Sequence, residues 1–533
     1  MFKKIVGTVF GLIVFLLLAI LLLFFPFERW SSPPVALKVQ SFSEIPVAFE
    51  HVVSAHGIVY PFMGAAAIDI EGDGMMEVFI GGGDGQQDGL LSFENNQLVN
   101  IIEESGLSSE AATYGATSID MDNDGDSDLL VARDDGLTLY LNEEVNQERV
   151  FVGEQIPLPI TGDAVPFSVA VADIEQDGDV DLYVSIFIEA TSFRPRTFND
   201  VTNAKQNVML LNNGDLTFTD ITEIAGVAAT QNTWNSLFVD LNGDNLQDLV
   251  VAQNTGAVEL FRNIGNTTFQ AIPTNSGLGF WIGVAVGDID KDGDQDLFFS
   301  NVGNSLPPFP FSPRPDLLEN QTLVSEWLLM RNDGHFNFTD VTAEYNLTGN
   351  GFAWGAAFED LNLDGYLDLL IAQNDFTIPA HQWLRLPGKA MLQIPPLQGK
   401  GFYHINELGL NNRDFAQSPL IADIDGDGRQ DILWINRNGF IRAFLNQSSH
   451  NYINIALPDT AEYLGAKITV ETEQGTSYTK EVITNVGSMT DQTSELVFGL
   501  GDVTEVKKIE ITLPNGKEKV IDDPAINEKI VVE

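Results

Sequence analysis

A nine-residue acidic loop written seven times constrains this chain more than any other feature. The copies are Asp69–Glu77 (DIEGDGMME), Asp120–Asp128 (DMDNDGDSD), Asp173–Asp181 (DIEQDGDVD), Asp240–Asp248 (DLNGDNLQD), Asp288–Asp296 (DIDKDGDQD), Asp360–Asp368 (DLNLDGYLD) and Asp423–Asp431 (DIDGDGRQD), hereafter loops one to seven. Each places oxygen-bearing side chains at positions 1, 3, 5 and 9. Glycine stands at position 6 except in loop four, which has Asn245 there. Alternate spacing lets the first three side chains converge on one point, and the glycine permits the turn that brings the fourth round. Hard oxygen donors in that number suit Ca²⁺. The expected metal ligands are Asp69, Glu71, Asp73 and Glu77; Asp120, Asp122, Asp124 and Asp128; Asp173, Glu175, Asp177 and Asp181; and Asp240, Asn242, Asp244 and Asp248. They continue with Asp288, Asp290, Asp292 and Asp296; Asp360, Asn362, Asp364 and Asp368; and Asp423, Asp425, Asp427 and Asp431. An EF-hand loop has twelve residues, closes on a glutamate and lies between helices. These loops close at position 9 and lie between apolar runs that read as strands, so each is expected to be a hairpin.

The copies start 51, 53, 67, 48, 72 and 63 residues apart, a period suited to propeller blades. In the fourth repeat, Ser236–Asp240 and Leu249–Gln253 flank the loop, and Val258–Arg262 and Thr268–Ile272 follow as short β-rich runs bounded by Gly, Asn or Asp. Four strands per unit and seven units predict an all-β, seven-bladed propeller over residues 47–450. The last repeat lacks its fourth strand, and an orphan strand near Val47–Val52 is expected to supply it and close the ring.

Three connections after the second strand are long: Ser185–Gln206, Asn301–Glu326 and Gln373–Lys400. Calcium loops join strands one and two, so these insertions belong to the opposite face. They carry Arg194, Arg196, Phe309, Phe311, Arg314, Trp327, Trp383 and Arg385, residue types suited to ligand recognition.

The chain of 533 residues carries 76 acidic and 27 basic residues, a net charge of −49, and the seven loops hold only part of this excess. Such acidity argues against nucleic acid or an anionic membrane surface as partner. There is no cysteine, so disulfides and thiol chemistry are excluded, and six scattered histidines give no zinc pattern. Residues 5–27 are uncharged and mostly apolar, long enough to span a bilayer, and follow Lys3 and Lys4. Residues 1–27 are therefore expected to be an uncleaved anchor, or a signal if cleaved. Residues 28–46 read as a linker, and the remainder is expected to be periplasmic or extracellular.

From Asn451 the acidic loops stop. Residues 451–533 read as a small β domain (INIAL, AKITVETE, KEVIT, LVFGLG, VKKIEITLPNG, KIVVE), richer in lysine than the chain before it. The seven loops, with MGAAA, YGATS, WIGVAV and WGAAF entering them, resemble FG-GAP or VCBS repeats. The tail resembles an ASPIC/UnbV domain through Gly465-Ala466, Gln492-Thr493-Ser494, Phe498-Gly499-Leu500-Gly501 and Leu513-Pro514-Asn515-Gly516. This pairing is similar to that of cartilage-acidic-protein-like proteins. The resemblance implies a calcium-dependent propeller, with up to seven structural ions, and leaves activity open. The expected function is a membrane-anchored binding or adhesion module for a protein or glycan, not an enzyme. The alternatives are a carbohydrate-active lyase or glycosidase, using carboxylates such as Asp200, Asp316, Glu319 and Asp375, and an envelope scaffold docking through its C-terminal domain.

Overall fold

The computed structural model describes residues 11, 14–16, 33–34, 42–54, 59–303, 314–351, 353–373, 388–395 and 399–532. Most of the expected anchor lies outside them. Among the described residues no helix is long and apolar enough to cross a membrane.

The fold is all-β. The fourth repeat is typical: Thr233–Val239 and Asp248–Gly256 flank its acidic loop, then Glu259–Asn263 and Phe269–Ile272 complete an antiparallel sheet. Its first strand lies against those of the third and fifth repeats, Ala164–Ala172 and Gly279–Gly287. The described residues contain seven such four-stranded sheets, and their first strands touch in cyclic order back to Ala65–Ile68. Successive side chains of a strand face opposite sides, and here both sides are covered. Ala65 and Ala67 join the apolar layer against the seventh sheet, whereas Ala66 and Ile68 join the layer against the second. This two-sided burial explains why the strands read as nearly continuous apolar runs.

Glycine entering the first strand has a packing reason. A Cβ on Gly64 would lie 2.4 Å from the Gly115 carbonyl carbon, and one on Gly115 would lie 2.4 Å from the Phe167 oxygen. Adjacent first strands approach too closely there for a side chain.

The ring is closed by the N-terminal segment, but not by the strand expected. Ser43–Ile45 pairs antiparallel with Leu445–Ala443 as fourth strand of the seventh sheet. Val47 bridges Leu98 of the first sheet, and Glu50–His51 pairs with Phe440–Gly439. The closing strand thus lies within the stretch read as linker. Residues 47–52 instead straddle the seam between the first and last sheets.

The C-terminal segment forms two further sheets. One joins Asn451–Ala456, Leu496–Gly501 and Lys529–Val531; the other joins Lys467–Thr472, Ser477–Glu481, Val506–Thr512 and Glu518–Asp522. They enclose a core of Ile453, Ile455, Ile468, Val470, Phe498, Ile509 and Ile511. Residues 482–484, read as the end of a strand, instead lead into a segment that enters the centre of the ring. Thr490–Asp491 adds a parallel strand to Ala65–Ala66. Gly487 exchanges two 2.9 Å backbone bonds with Val284, and the Trp234 indole N–H donates to Ser488 Oγ at 2.9 Å. Asn235, which stands where four other repeats have glycine, meets Asn485 and Met489, and Gln417 meets Met489. Met489 is fully buried beside Trp234, Trp354 and Phe62.

Candidate metal centres and the opposite face

All seven loops share one backbone frame. The position-1 carboxylate accepts N–H bonds from positions 5 and 6. In loop five, Asp292 N and Gly293 N donate to Asp288 at 3.1 and 2.9 Å. The same pair of bonds holds Asp69, Asp120, Asp173, Asp240, Asp360 and Asp423. Asn245 in loop four has φ +63°, a left-handed conformation that asparagine tolerates, so it replaces glycine without breaking the frame.

The position-9 acid fastens each loop to its sheet. Asp296 Oδ2 accepts from Ile289 N at 2.9 Å, and Oδ1 accepts from Asn332 N on the third strand at 2.7 Å. Asp128, Asp181, Asp248, Asp368 and Asp431 make the same bonds; Glu77 uses Ser92 Oγ for the second. Each carboxylate oxygen keeps a second lone pair with which to bind a cation. Burial raises these groups: Glu77 and Asp128 to about 7, and Asp181, Asp248 and Asp296 to about 8. Burial also drives Asp368 and Asp431 well above the usual carboxylate range.

Carboxylate oxygens of positions 1, 3 and 9 lie within 4.8 Å of one another in loops two (Asp120, Asp122, Asp128), five (Asp288, Asp290, Asp296) and seven (Asp423, Asp425, Asp431). In loop five, Asp290 Oδ1 is buried with no hydrogen-bond partner among the described residues. An orphaned carboxylate oxygen aimed among two other acids fits a hard divalent cation. In loops four and six, Asn242 and Asn362 turn their amides to Asp244 and Asp364, donating at 3.0 and 3.1 Å. In loops one and three the longer Glu71 and Glu175 occupy position 3, exposed beside Asp73 and Asp177. Basic residues hold some members: Asp427 pairs with Arg429, and Asp244 with Arg262 at 3.1 Å. Position 7 turns away from the loop centre in loop two, where Asp126 pairs with Arg149.

Sequence reading missed a set of latches between sheets. The side-chain amides of Asn142, Asn263, Asn332, Gln393 and Asn446 donate to the position-2 carbonyls of Ile70, Ile174, Leu241, Ile289 and Leu361, each in the preceding repeat. The signal was present as an asparagine in or just after the third strand, in YLN, FRN, MRN and FLN. The C-terminal segment was also not expected to reach the loops. Lys529 Nζ donates to Gly74 O at 2.7 Å and Lys467 Nζ to Gly293 O at 2.6 Å. Asp459, Glu481 and Tyr452 bind loops two, four and seven.

On the opposite face, the insertions of the third and fifth repeats interlock. Asp316 accepts from the backbone N–H groups of Phe198 and Asn199, and Asn199 and Gln321 exchange amide bonds of 2.8 and 2.9 Å. Arg194 is exposed, and its guanidinium is tied to carbonyls of its own loop. Arg314 is exposed and Arg196 half-buried, with positive φ. Trp327 was placed on the recognition surface but is 3% exposed, with its ring against Phe298 at 5.6 Å. It precedes the third strand directly and belongs to the core between the fifth and sixth sheets. Phe309, Phe311, Trp383 and Arg385 lie outside the described residues.

Among family comparisons, FG-GAP-like repeats match residues 120–184, 240–299 and 314–371, and ASPIC and UnbV matches residues 459–533. No curated protein matches the chain. Solved structures similar to it include BBS1N in complex with ARL6DN soaked with mercury, at 12% identity, 77% of this chain, 99% of that one and a TM-score of 0.45. The lead-soaked form of that complex gives 13% identity, 77% and 99% coverage and a TM-score of 0.43. The Photorhabdus luminescens Tc holotoxin pore gives 14% identity, 74% of this chain, 18% of that one and a TM-score of 0.31. The repeats that hold loops two to six thus match FG-GAP-like repeats and residues 459–533 match ASPIC and UnbV, so the chain carries FG-GAP-like repeats followed by an ASPIC/UnbV domain.

Proposed function

We propose that the chain is a seven-bladed propeller stabilised by calcium, acting as a binding or adhesion protein outside the cytoplasm. Its ligand, a protein or a glycan, meets the insertions opposite the acidic loops, and the apolar N-terminal segment holds the protein at a membrane. The observation that carries the binding reading is the interlock of two insertions through Asp316, Asn199 and Gln321, which pre-organises a surface on a rigid scaffold. Calcium is supported by the common frame of the loops and the orphaned Asp290 oxygen.

Glycan-array binding and cross-linking capture should be compared for the wild type and Asp316→Ala, which frees the two insertions from each other. Loss of a captured ligand at unchanged melting temperature supports the reading; equal capture by both removes this face from it. The carbohydrate-active alternative is decided by polysaccharide turnover. Two of its candidate acids have structural partners, since Asp200 caps a short 3₁₀ turn through Thr202 N and Asp316 holds the interlock.

A further inference from the structure

A cavity of about 330 Å³ lies between the first two sheets and the C-terminal domain. That volume suits a small organic molecule and exceeds what a bare ion needs. Asp73 and Val531 line it and are exposed, so its mouth opens beside loop one. The run Gln492-Thr493-Ser494, through which the tail resembles an ASPIC/UnbV domain, forms part of its wall.

Polar groups along the wall lack partners. Thr484 lines the cavity and is 8% exposed, and its hydroxyl makes no hydrogen bond among the described residues. Ser118 Oγ is buried without a partner, and Ser494 Oγ makes no hydrogen bond among the described residues. Asp459 accepts from Ser127 Oγ at 2.8 Å through Oδ2, while its Oδ1 accepts from no described residue. Buried polar groups are normally paired, within the protein or with something bound.

Charge is unbalanced there as well. Asp491, 1% exposed, accepts only from backbone amides, those of Asn485 and Ser118 at 2.7 and 2.8 Å. Lys529 is the one basic residue lining the cavity among the described residues, and it is engaged: it pairs with Glu495 and donates to Gly74 O at 2.7 Å. Asp459 and Asp491 therefore have no basic partner among the described residues, and a buried carboxylate in that state calls for a cation or a proton. Leu457, Val482 and Val532 add an apolar wall, which an inorganic ion would leave unused.

We propose that this cavity binds a small organic cation, an alkylammonium whose head pairs with Asp459 and whose stem packs against the apolar wall. An ammonium carries three donors and no acceptor, which matches a free carboxylate oxygen accompanied by unpartnered hydroxyls. The proposal stands apart from the calcium and insertion-face readings, because the site is walled by the C-terminal domain as much as by the ring.

The test is calorimetric titration of the full-length chain with n-pentylamine. Excess calcium keeps divalent ions at saturation, and about 0.15 M salt screens long-range attraction. Binding of one amine per chain is expected. The neutral isostere n-pentanol is expected to bind at least about tenfold more weakly, as loss of a charge-assisted hydrogen bond implies. Asp459→Asn keeps the size of the side chain and is expected to weaken amine binding at least about tenfold, and Thr484→Val about threefold. General attraction to a chain of charge −49 would barely register either change. Should Asp459→Asn fail to fold, Thr484→Val decides alone. The proposal is overturned by absence of saturable amine binding, by equal binding of n-pentanol, by displacement of the amine by equimolar magnesium, or by variants that bind as the wild type does.

Discussion

Single acids in these loops do unequal work. The position-9 carboxylate satisfies two buried backbone donors, whereas position 3 in loop five makes no hydrogen bond through its buried Oδ1. In chelator, Asp296→Ala is expected to lose about 2–5 kcal/mol of stability, because Ile289 N and Asn332 N are left buried and unpaired. Asp290→Asn, by contrast, is expected to be neutral or slightly stabilising in chelator and costly only when calcium is added. Urea unfolding of both variants in the two conditions checks the contrast. His51 gives a pH prediction of its own. Burial, and then the nearby Arg437 charge, lower its pKa from 6.5 to about 3, while Nδ1 accepts from Asn438 N at 3.0 Å. The folded state therefore rejects a proton that the unfolded chain accepts. Its contribution is complete above pH 6.5 and is lost as pH falls toward 3, by up to about 1.4 kcal/mol per pH unit. His51→Gln should flatten the decline in urea midpoint between pH 7 and pH 5; an unchanged slope would place the acid sensitivity elsewhere.

At the scale of the element, the loops and their flanking strands were legible because repetition makes the pattern certain. Seven copies fix where strands one and two must lie, and the third and fourth follow by turn residues. The closing strand was misplaced by a few residues because SFSEI and VAFEH are equally short and apolar, and only pairing with Leu445–Ala443 separates them. Trp327 misled because it ends a long insertion, and one dimension does not show that the third strand begins at the next residue. The loops also make a pH prediction whose sign depends on calcium. Burial raises the position-9 acids, so without metal the folded state binds protons more tightly than the unfolded chain does. Chelated protein should therefore gain stability as pH falls from about 8 toward 4. Calcium-loaded protein should lose stability over the same range, since protons displace the ion. Melting temperatures at pH 5.5 and pH 8, with calcium and with EDTA, should cross; parallel trends would count against metal in these loops.

Across the whole molecule, the C-terminal segment is a domain by sequence and a plug by structure. Its core was legible in the alternation of AKITVETE and VKKIEIT, but ITNVGSMTDQT reads as a polar loop. Nothing in that composition announces Met489 in the centre of the ring or a strand added at Ala65. The two parts share buried polar contacts such as Trp234 with Ser488 and Asn235 with Asn485. Calorimetry of the wild type should show one cooperative transition rather than two. A chain ending at His450 should lose that cooperativity and aggregate, because it leaves Trp234, Gln417 and the edge of Ala65–Ile68 uncovered. Two resolved transitions, or a well-behaved truncated ring, would refute the plug as a stability element.

The closure by Ser43–Ile45 has a mechanical consequence. The three residues Ser43–Ile45 clasp the last sheet, with Glu44 also paired to Arg442. A pull on the chain ahead of Ser43 is borne first by this clasp, whereas a pull on the C-terminal end is borne by the plug and its lysine contacts. The clasp should peel at lower force, opening the seam between the first and last sheets before any other part yields. In a tethered molecule the ring would then act as a tension gauge, with its weakest join beside the tether.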